Sequence, residues 1–278
     1  MLDPMPTRCD DFATHGYFRV DGFTDPSTGA AMLERVVDIV RRADAGDDVE
    51  PAMITIEEQA DYAEATPRAP EDRVSKVFRL HRDPVFHAFA SDPRVLDLVR
   101  PLLGTDDVSC FLSQFIFKNP GAWGQPWHQD SLYFPFEPAR PIVGVWLAVT
   151  AATLRNGCLH ILAGSNHEPV AAHVADRRAG ANHGYFEIVD HDMTASEAVL
   201  MEPGDLLVFD SHLMHRSTDN VSEGIRAAMV YHYAATGTLD HSPEVFGYTV
   251  NDWLHTSRPA LVRGQIRWPG RCQQPANR

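Results

Sequence analysis

Six short runs rich in β-branched and aromatic residues, at 108–117, 142–149, 157–162, 185–189, 205–209 and 225–233, succeed one another down the second half of the chain. Turn-forming pairs such as Asn156-Gly157 and Pro203-Gly204 separate them. Strands this short cannot bury a face alone, so they must pair into sheets that share a core. The N-terminal part reads differently. A strand at 16–23 leads to Asp25-Pro26 as a helix start, and Ala30, Leu33, Val36, Val37 and Val40 give that helix its apolar face. A strand at 74–80 precedes helices at 84–90 and 93–103, the second closed by Gly104. Helices followed by many short strands predict a mainly β chain, a double-sheet jelly roll with helices packed outside.

With 278 residues and 44% hydrophobic composition the chain can bury a sizeable core, and we expect a single domain over 1–278 with its jelly roll at about 108–235. The acidic, proline-bearing stretch from about 44 to 72 predicts a long surface loop or lid. A net charge of −14 without a basic cluster argues against nucleic acid and anionic membranes as partners, because both require positive potential. No basic segment followed by an apolar run opens the chain, and nothing approaches a membrane span, so a soluble, unprocessed cytoplasmic protein is expected. Cys9, Cys110, Cys158 and Cys272 have no metal-binding spacing and are too sparse for a disulfide scaffold, which predicts ordinary thiols.

Chemistry concentrates at Trp127-His128-Gln129-Asp130. In an extended strand residues i and i+2 share a face, so His128 and Asp130 project together. A second histidine would complete a 2-His-1-carboxylate facial triad, which leaves three metal positions open. His215 is the candidate, with His212 competing for the role. The other His-x-Asp, His81-Arg82-Asp83, is set aside because Asp83-Pro84 starts a helix whose apolar face carries Val85, Phe86 and Phe89. Eleven residues past His215 comes Arg226, inside an apolar strand. A buried arginine demands an anion, and its planar fork grips a carboxylate with two hydrogen bonds. A dicarboxylate lying between metal and arginine is therefore expected.

Of 24 basic residues only Lys76 and Lys118 are lysines, which suggests positions that a guanidinium does not suit. Lys76 shares a strand face with Val74 and Phe78, whereas for Lys118 a plain surface charge stays open as the alternative. The aromatic set Trp123, Trp127, Tyr133, Phe134 and Phe136 predicts a substrate wall beside the metal. His160 and His232 are expected to be structural or solvated, with a place lining the pocket open to either.

These motifs carry a resemblance. The stretch of roughly 73–233 resembles the phytanoyl-CoA dioxygenase family of Fe(II)- and 2-oxoglutarate-dependent oxygenases. It does so through Val74-Ser75-Lys76, the run from Ser113 to Lys118, His128-Gln129-Asp130, Gly144-Val145-Trp146, Asn156-Gly157-Cys158-Leu159, His215-x-Ser217 and Arg226. The resemblance implies a cupin-like double-stranded β-helix, His128, Asp130 and His215 as iron ligands, and 2-oxoglutarate and O₂ as co-substrates. It further implies that Arg226 binds the far carboxylate of 2-oxoglutarate, with Ser217, Trp146 and Lys76 as additional contacts. The expected reaction is hydroxylation or another oxidation of a C–H bond in a small organic substrate, with succinate and CO₂ released. Asp130 occupies the position that related halogenases leave to chloride, so halogenation is not expected. Three other readings stay open at this level: acyl-CoA hydroxylation within the same class, a zinc or manganese hydrolase, and a cupin-like module that binds metal without turnover.

Overall fold

Local signals place the helices. In the computed structural model, which describes residues 5–57, 69–181 and 184–256, the helices are α1 (Met5–His15), α2 (Pro26–Asp44), α3 (Pro84–Ala90), α4 (Pro93–Leu103) and α5 (Ser242–Phe246). Asp25, Asp83 and Asp92 each precede a first-turn proline and accept a backbone N–H from Ser27, Val85 and Arg94. These caps satisfy donors that a helix start leaves open, which is why the boundaries were legible. Asp83 is thus occupied as a cap. The strands are β1 (Tyr17–Val20), β2 (Met53–Ile56), β3 (Val74–Phe78), β4 (Val108–Lys118), β5 (Phe136–Glu137), β6 (Val143–Ala148), β7 (Leu159–Ile161) and β8 (His173–Ala175). They continue with β9 (Phe186–Ile188), β10 (Glu197–Val199), β11 (Leu206–Asp210), β12 (His215–Ser217), β13 (Arg226–Ala235), β14 (Leu239–Asp240) and β15 (Leu254–His255).

The pairings among them are antiparallel. The main sheet runs β1-β11-β6-β13-β4-β3-β2, with β15 against the start of β4, and a smaller sheet runs β10-β7-β12. Alternation along β13 divides the molecule into layers. Met229, Tyr231 and Tyr233 face the helices with Phe115 and Val145, against Met32, Val36, Phe86, Phe89 and Val99. Each such fully buried side chain contributes about 1.5–3 kcal/mol. The hydroxyls of Tyr231 and Tyr233 donate to the carbonyls of Phe86 and Ala90, both at 3.0 Å, tying α3 to the sheet. On the opposite face Trp146, Leu207, Phe209, Ala228 and Val230 meet Cys158, Ile161, Val199 and Leu213 of the smaller sheet and its loops. The expected two-sheet jelly roll with outer helices is what the chain forms.

Several expectations need adjustment. The buried stripe of α2 is Met32, Val36, Ile39 and Val40, whereas Ala30 is exposed and Leu33 and Val37 are half-buried. The i, i+4, i+7, i+8 stripe is fully buried, while Leu33 and Val37 pack against the edge of the same core. The stretch from 44 to 72 is not loop throughout, since β2 extends the main sheet beside β3; residues 58–68 lie outside the described ones. Cys110 and Cys158 are free buried thiols, but Cys9 is disulfide-bonded, contrary to expectation. Cys272 lies outside the described residues. No described helix is long and apolar enough to cross a membrane.

Candidate active site

Gln129 has an extended backbone (φ −116°, ψ 131°), so His128 and Asp130 leave the same side of the chain and Gln129 leaves the other. The buried Gln129 amide holds this geometry by donating to the His212 carbonyl at 2.8 Å and accepting from the Ala171 N–H at 2.8 Å. His215 opens β12 directly opposite His128. The His128 N–H donates to the His215 carbonyl at 2.9 Å, and the return bond is 3.0 Å. The two rings therefore stand side by side with centroids 4.2 Å apart.

One ligand atom each from His128, Asp130 and His215 lies within 4.8 Å of the others, and all three residues are buried there. Asp130 Oδ1 is 3.4 Å from His128 Nε2 and 3.8 Å from His215 Nε2. Adjacent donors on one ion with bonds of about 2.1 Å sit about 3 Å apart, so small movements suffice to close this group on a cation. The ring protons are assigned by their partners. His128 Nδ1 meets the Pro126 carbonyl at 2.8 Å, and His215 Nδ1 meets the Leu213 carbonyl at 2.9 Å. A carbonyl only accepts, so both Nδ1 atoms carry hydrogen and both Nε2 lone pairs face Asp130. Burial first, and then His128, push His215 down to about 4, which keeps its imidazole neutral.

His232 completes the carboxylate's surroundings. Buried on β13, it approaches Asp130 Oδ2 with Nε2 at 2.8 Å, which reserves Oδ1 for the two ligand-type histidines. Burial alone would raise the Asp130 carboxyl; His215, His128 and His232 outweigh it and hold the group well below the usual carboxylate range. His232 is therefore neither solvated nor a mere filler of the core. Its signal lay in strand parity, since it stands six residues after Arg226 and so shares that residue's face. His212, the rival of His215, points instead at Ser131 Oγ, 2.7 Å away, and is not in the cluster.

A cavity of about 520 Å³ opens over this group, and Lys76, Lys118, Trp146, Ser217 and Arg226 all reach its wall. Register explains the convergence: Arg226 is paired with Lys118, Val230 with Gln114 and Trp146, and Lys76 with Ile116, all on the inner face of the main sheet. Arg226 is 1% exposed, donates from Nε to the Gly157 carbonyl at 3.2 Å, and has no partner at Nη1. Burial pushes its guanidinium down to about 10. Trp146 lies under it at 5.8 Å with its own Nε1 unpartnered. Two orphaned N–H groups beside a buried cation make an acceptor-shaped gap for a carboxylate.

Lys76 donates to Gln125 Oε1 at 3.1 Å and lies 4.8 Å from the centre of the Tyr185 ring. Lys118 decides the alternative left open for it. It is 4% exposed rather than a surface charge, and Nζ reaches Ser217 Oγ at 2.9 Å, the Thr218 carbonyl at 2.7 Å and the Trp123 carbonyl at 3.2 Å. The scarcity of lysine did mark both positions, but only the pairing with Arg226 reveals that Lys118 points inward. Of the expected aromatic wall, Trp123, Tyr133 and Phe134 line the cavity, joined by Tyr185 and Phe186; Trp127 and Phe136 do not. Trp127 packs in a separate cluster with Leu162 and Met214 and lies under Arg216, at 5.2 Å. Phe136 is held against Phe111.

Comparison with known proteins shows which family the chain resembles over most of its length. A probable phytanoyl-CoA dioxygenase of Caenorhabditis elegans is 31% identical over 192 residues, 66% of this chain and 62% of that protein. The peroxisomal phytanoyl-CoA dioxygenase of Bos taurus is 32% identical over 170 residues, 59% of this chain and 50% of that one. The chain thus spans from half to about three-fifths of the length of these relatives. Among solved structures, the epimerase SnoN in complex with Fe³⁺, alpha ketoglutarate and nogalamycin RO shares the fold, with a TM-score of 0.67 and 16% identity over 97% of this chain and 96% of SnoN. The profile of the phytanoyl-CoA dioxygenase family (PhyH) matches residues 12–228, and the chain belongs to that family.

Proposed function

We propose that this chain is an Fe(II)- and 2-oxoglutarate-dependent oxygenase that oxidises a C–H bond of a small organic substrate and releases succinate and CO₂. One observation carries the reading: a single cavity holds the buried His128, Asp130, His215 cluster and the buried Arg226 with its unpartnered Nη1. Two imidazoles and one carboxylate fit Fe(II) and leave three coordination positions open. When bound, iron and 2-oxoglutarate together activate O₂ for removal of hydrogen from a C–H bond. His128 and His215 would hold the metal through Nε2 and Asp130 through Oδ1, while His232 keeps Oδ2 engaged. Arg226, Ser217 and Trp146 would take the far carboxylate of the co-substrate, with Lys76 on the same wall. SnoN, which shares the fold, has been crystallised with Fe³⁺ and alpha ketoglutarate, in keeping with this reading.

For the primary substrate we favour a free small molecule over an acyl-CoA. Tyr133, Phe134, Phe186 and Tyr248 offer aromatic walls that bury apolar surface and exclude water from the metal. Among the described lining residues the lysine and arginine side chains are Lys76, Lys118 and Arg226, all on the main sheet, and these residues form no basic lip for the phosphates of coenzyme A. A zinc or manganese hydrolase would leave Arg226 without 2-oxoglutarate to bind, and succinate formation separates the oxygenase from a module that binds metal without turnover. The test is succinate release with Fe(II), 2-oxoglutarate and O₂, across a panel of free aromatic small molecules and acyl-CoA thioesters. We expect release driven by members of the first group. Release with thioesters alone would overturn the substrate class, and hydrolysis independent of 2-oxoglutarate would overturn the reaction.

A further inference from the structure

We infer that Lys118 is a positioning residue: it fixes the Ser217 hydroxyl as a hydrogen-bond donor aimed into the cavity, where that hydroxyl serves the far carboxylate of the co-substrate. This rests on the co-substrate reading above and assigns a part of it that Lys118 plays without touching the ligand.

Ser217 Oγ accepts from Lys118 Nζ at 2.9 Å and from the Gln125 backbone N–H at 3.1 Å. A hydroxyl has two acceptor sites and one donor, so both acceptor sites are filled and only the O–H remains. Among the described residues no acceptor takes it. Ser217 lies on the cavity wall with Arg226, so its O–H and the orphaned Nη1 of Arg226 are both available to one anion. Lys118 has no such freedom. Its three N–H bonds are spent on Ser217 Oγ, the Thr218 carbonyl and the Trp123 carbonyl, three acceptors approached from different directions. A tetrahedral ammonium meets that demand, and a planar guanidinium does not.

The surroundings leave the lysine little alternative. A Cβ added to Gly157 would lie 2.6 Å from Lys118 Cδ and 2.3 Å from the Thr218 carbonyl oxygen, and one added to Gly124 would lie 1.9 Å from the Ser217 carbonyl oxygen. Both glycines therefore make room for the lysine stem and for the strand end it holds. Lys118 also stands directly across the ladder from Arg226. Like charges so paired are unfavourable unless an anion lies between or beside them. Removing the ammonium would strip the Thr218 and Trp123 carbonyls of this donor, and the freed Ser217 O–H could turn to satisfy one of them. The cavity would then lose a donor that Lys118 never contributed directly.

The experiment measures binding to the anaerobic Fe(II)-loaded protein of 2-oxoglutarate and of 2-oxovalerate, which keeps the metal-chelating end but lacks the far carboxylate. Lys118→Met is expected to weaken 2-oxoglutarate about ten-fold and to leave 2-oxovalerate unchanged. Ser217→Ala is expected to do the same. In the double variant the losses should not multiply, because both changes remove one donor. Lys118→Arg keeps the charge and serves where Lys118→Met does not fold; it too should lower the preference for the dicarboxylate. Lys118 variants that bind both ligands like the parent, that weaken both equally, or whose losses multiply with Ser217→Ala would overturn the inference. A parent protein that binds neither ligand would instead overturn the co-substrate reading on which it rests.

Discussion

Replacing Arg226 by methionine is expected to separate binding from folding. The guanidinium is buried, makes one hydrogen bond to the Gly157 carbonyl and faces Lys118 across the ladder. Its depression to about 10 by burial corresponds to about 3 kcal/mol against the charged form. Without a ligand, then, Arg226 is a burden on the fold, offset in part by the Gly157 bond at about 1 kcal/mol. Arg226→Met keeps most of the volume and removes the charge. We expect the ligand-free protein to be as stable as the parent or up to about 2 kcal/mol more stable, a rise of no more than about 6 °C in Tm. Binding of 2-oxoglutarate loses a buried charge pair worth on the order of 2–5 kcal/mol, roughly thirty-fold to several thousand-fold in Kd. Thermal unfolding with and without 2-oxoglutarate, together with a titration of Fe(II), measures all three quantities. A variant that melts well below the parent while losing iron and 2-oxoglutarate together would refute the reasoning and make Arg226 a fold residue.

Four further outcomes are expected. Lys76→Arg should raise the KM for 2-oxoglutarate several-fold with little change in Tm; parental kinetics would remove Lys76 from the co-substrate wall. His232→Leu should weaken Fe(II) by about 10–100-fold, as loss of a group that orients a ligand does, while 2-oxoglutarate affinity measured at saturating metal changes far less. Arg216→Ala should be mild in both assays, because Arg216 lies over Trp127 on the outer side of β12. Metal-free protein should lose stability as pH falls from about 6.5 towards 4. His212 and His215 are pushed down to about 4 by burial, so in that window the unfolded chain binds protons that the folded chain refuses. Each contributes on the order of 2–3 kcal/mol, and urea unfolding across that range that showed no decline would contradict the burial of both.

What could be read without coordinates depended on how local each signal is. Asp83-Pro84 and Asp92-Pro93 carry their own capping chemistry, so α3 and α4 begin where the sequence says they do. His128 and Asp130 share a face through three residues of backbone, and that too is local. The placement of His215 beside His128 needs a long-range strand pairing, and only the family's spacing pointed to it over His212. Strands β8, β10 and β12 have three residues each, too few for a period of two to stand out. Lys118 is the clearest loss. The scarcity of lysine singled it out without saying which way it points, and the pairing that buries it against Ser217 and opposite Arg226 is a property of the sheet. His232 was within reach, since parity with Arg226 is local, but one histidine among 14 carries little weight alone.

The most direct test of the account is anaerobic titration of purified protein with Fe(II) and then 2-oxoglutarate, followed by visible absorption, for the parent, His128→Ala and His215→Ala. The parent is expected to take up one Fe(II) per chain and to develop the weak visible band of iron chelated by 2-oxoglutarate. Each histidine variant is expected to lose the band and most of its iron. Variants that bind iron as tightly as the parent, or a parent in which 2-oxoglutarate produces no band, would contradict the assignment of this site.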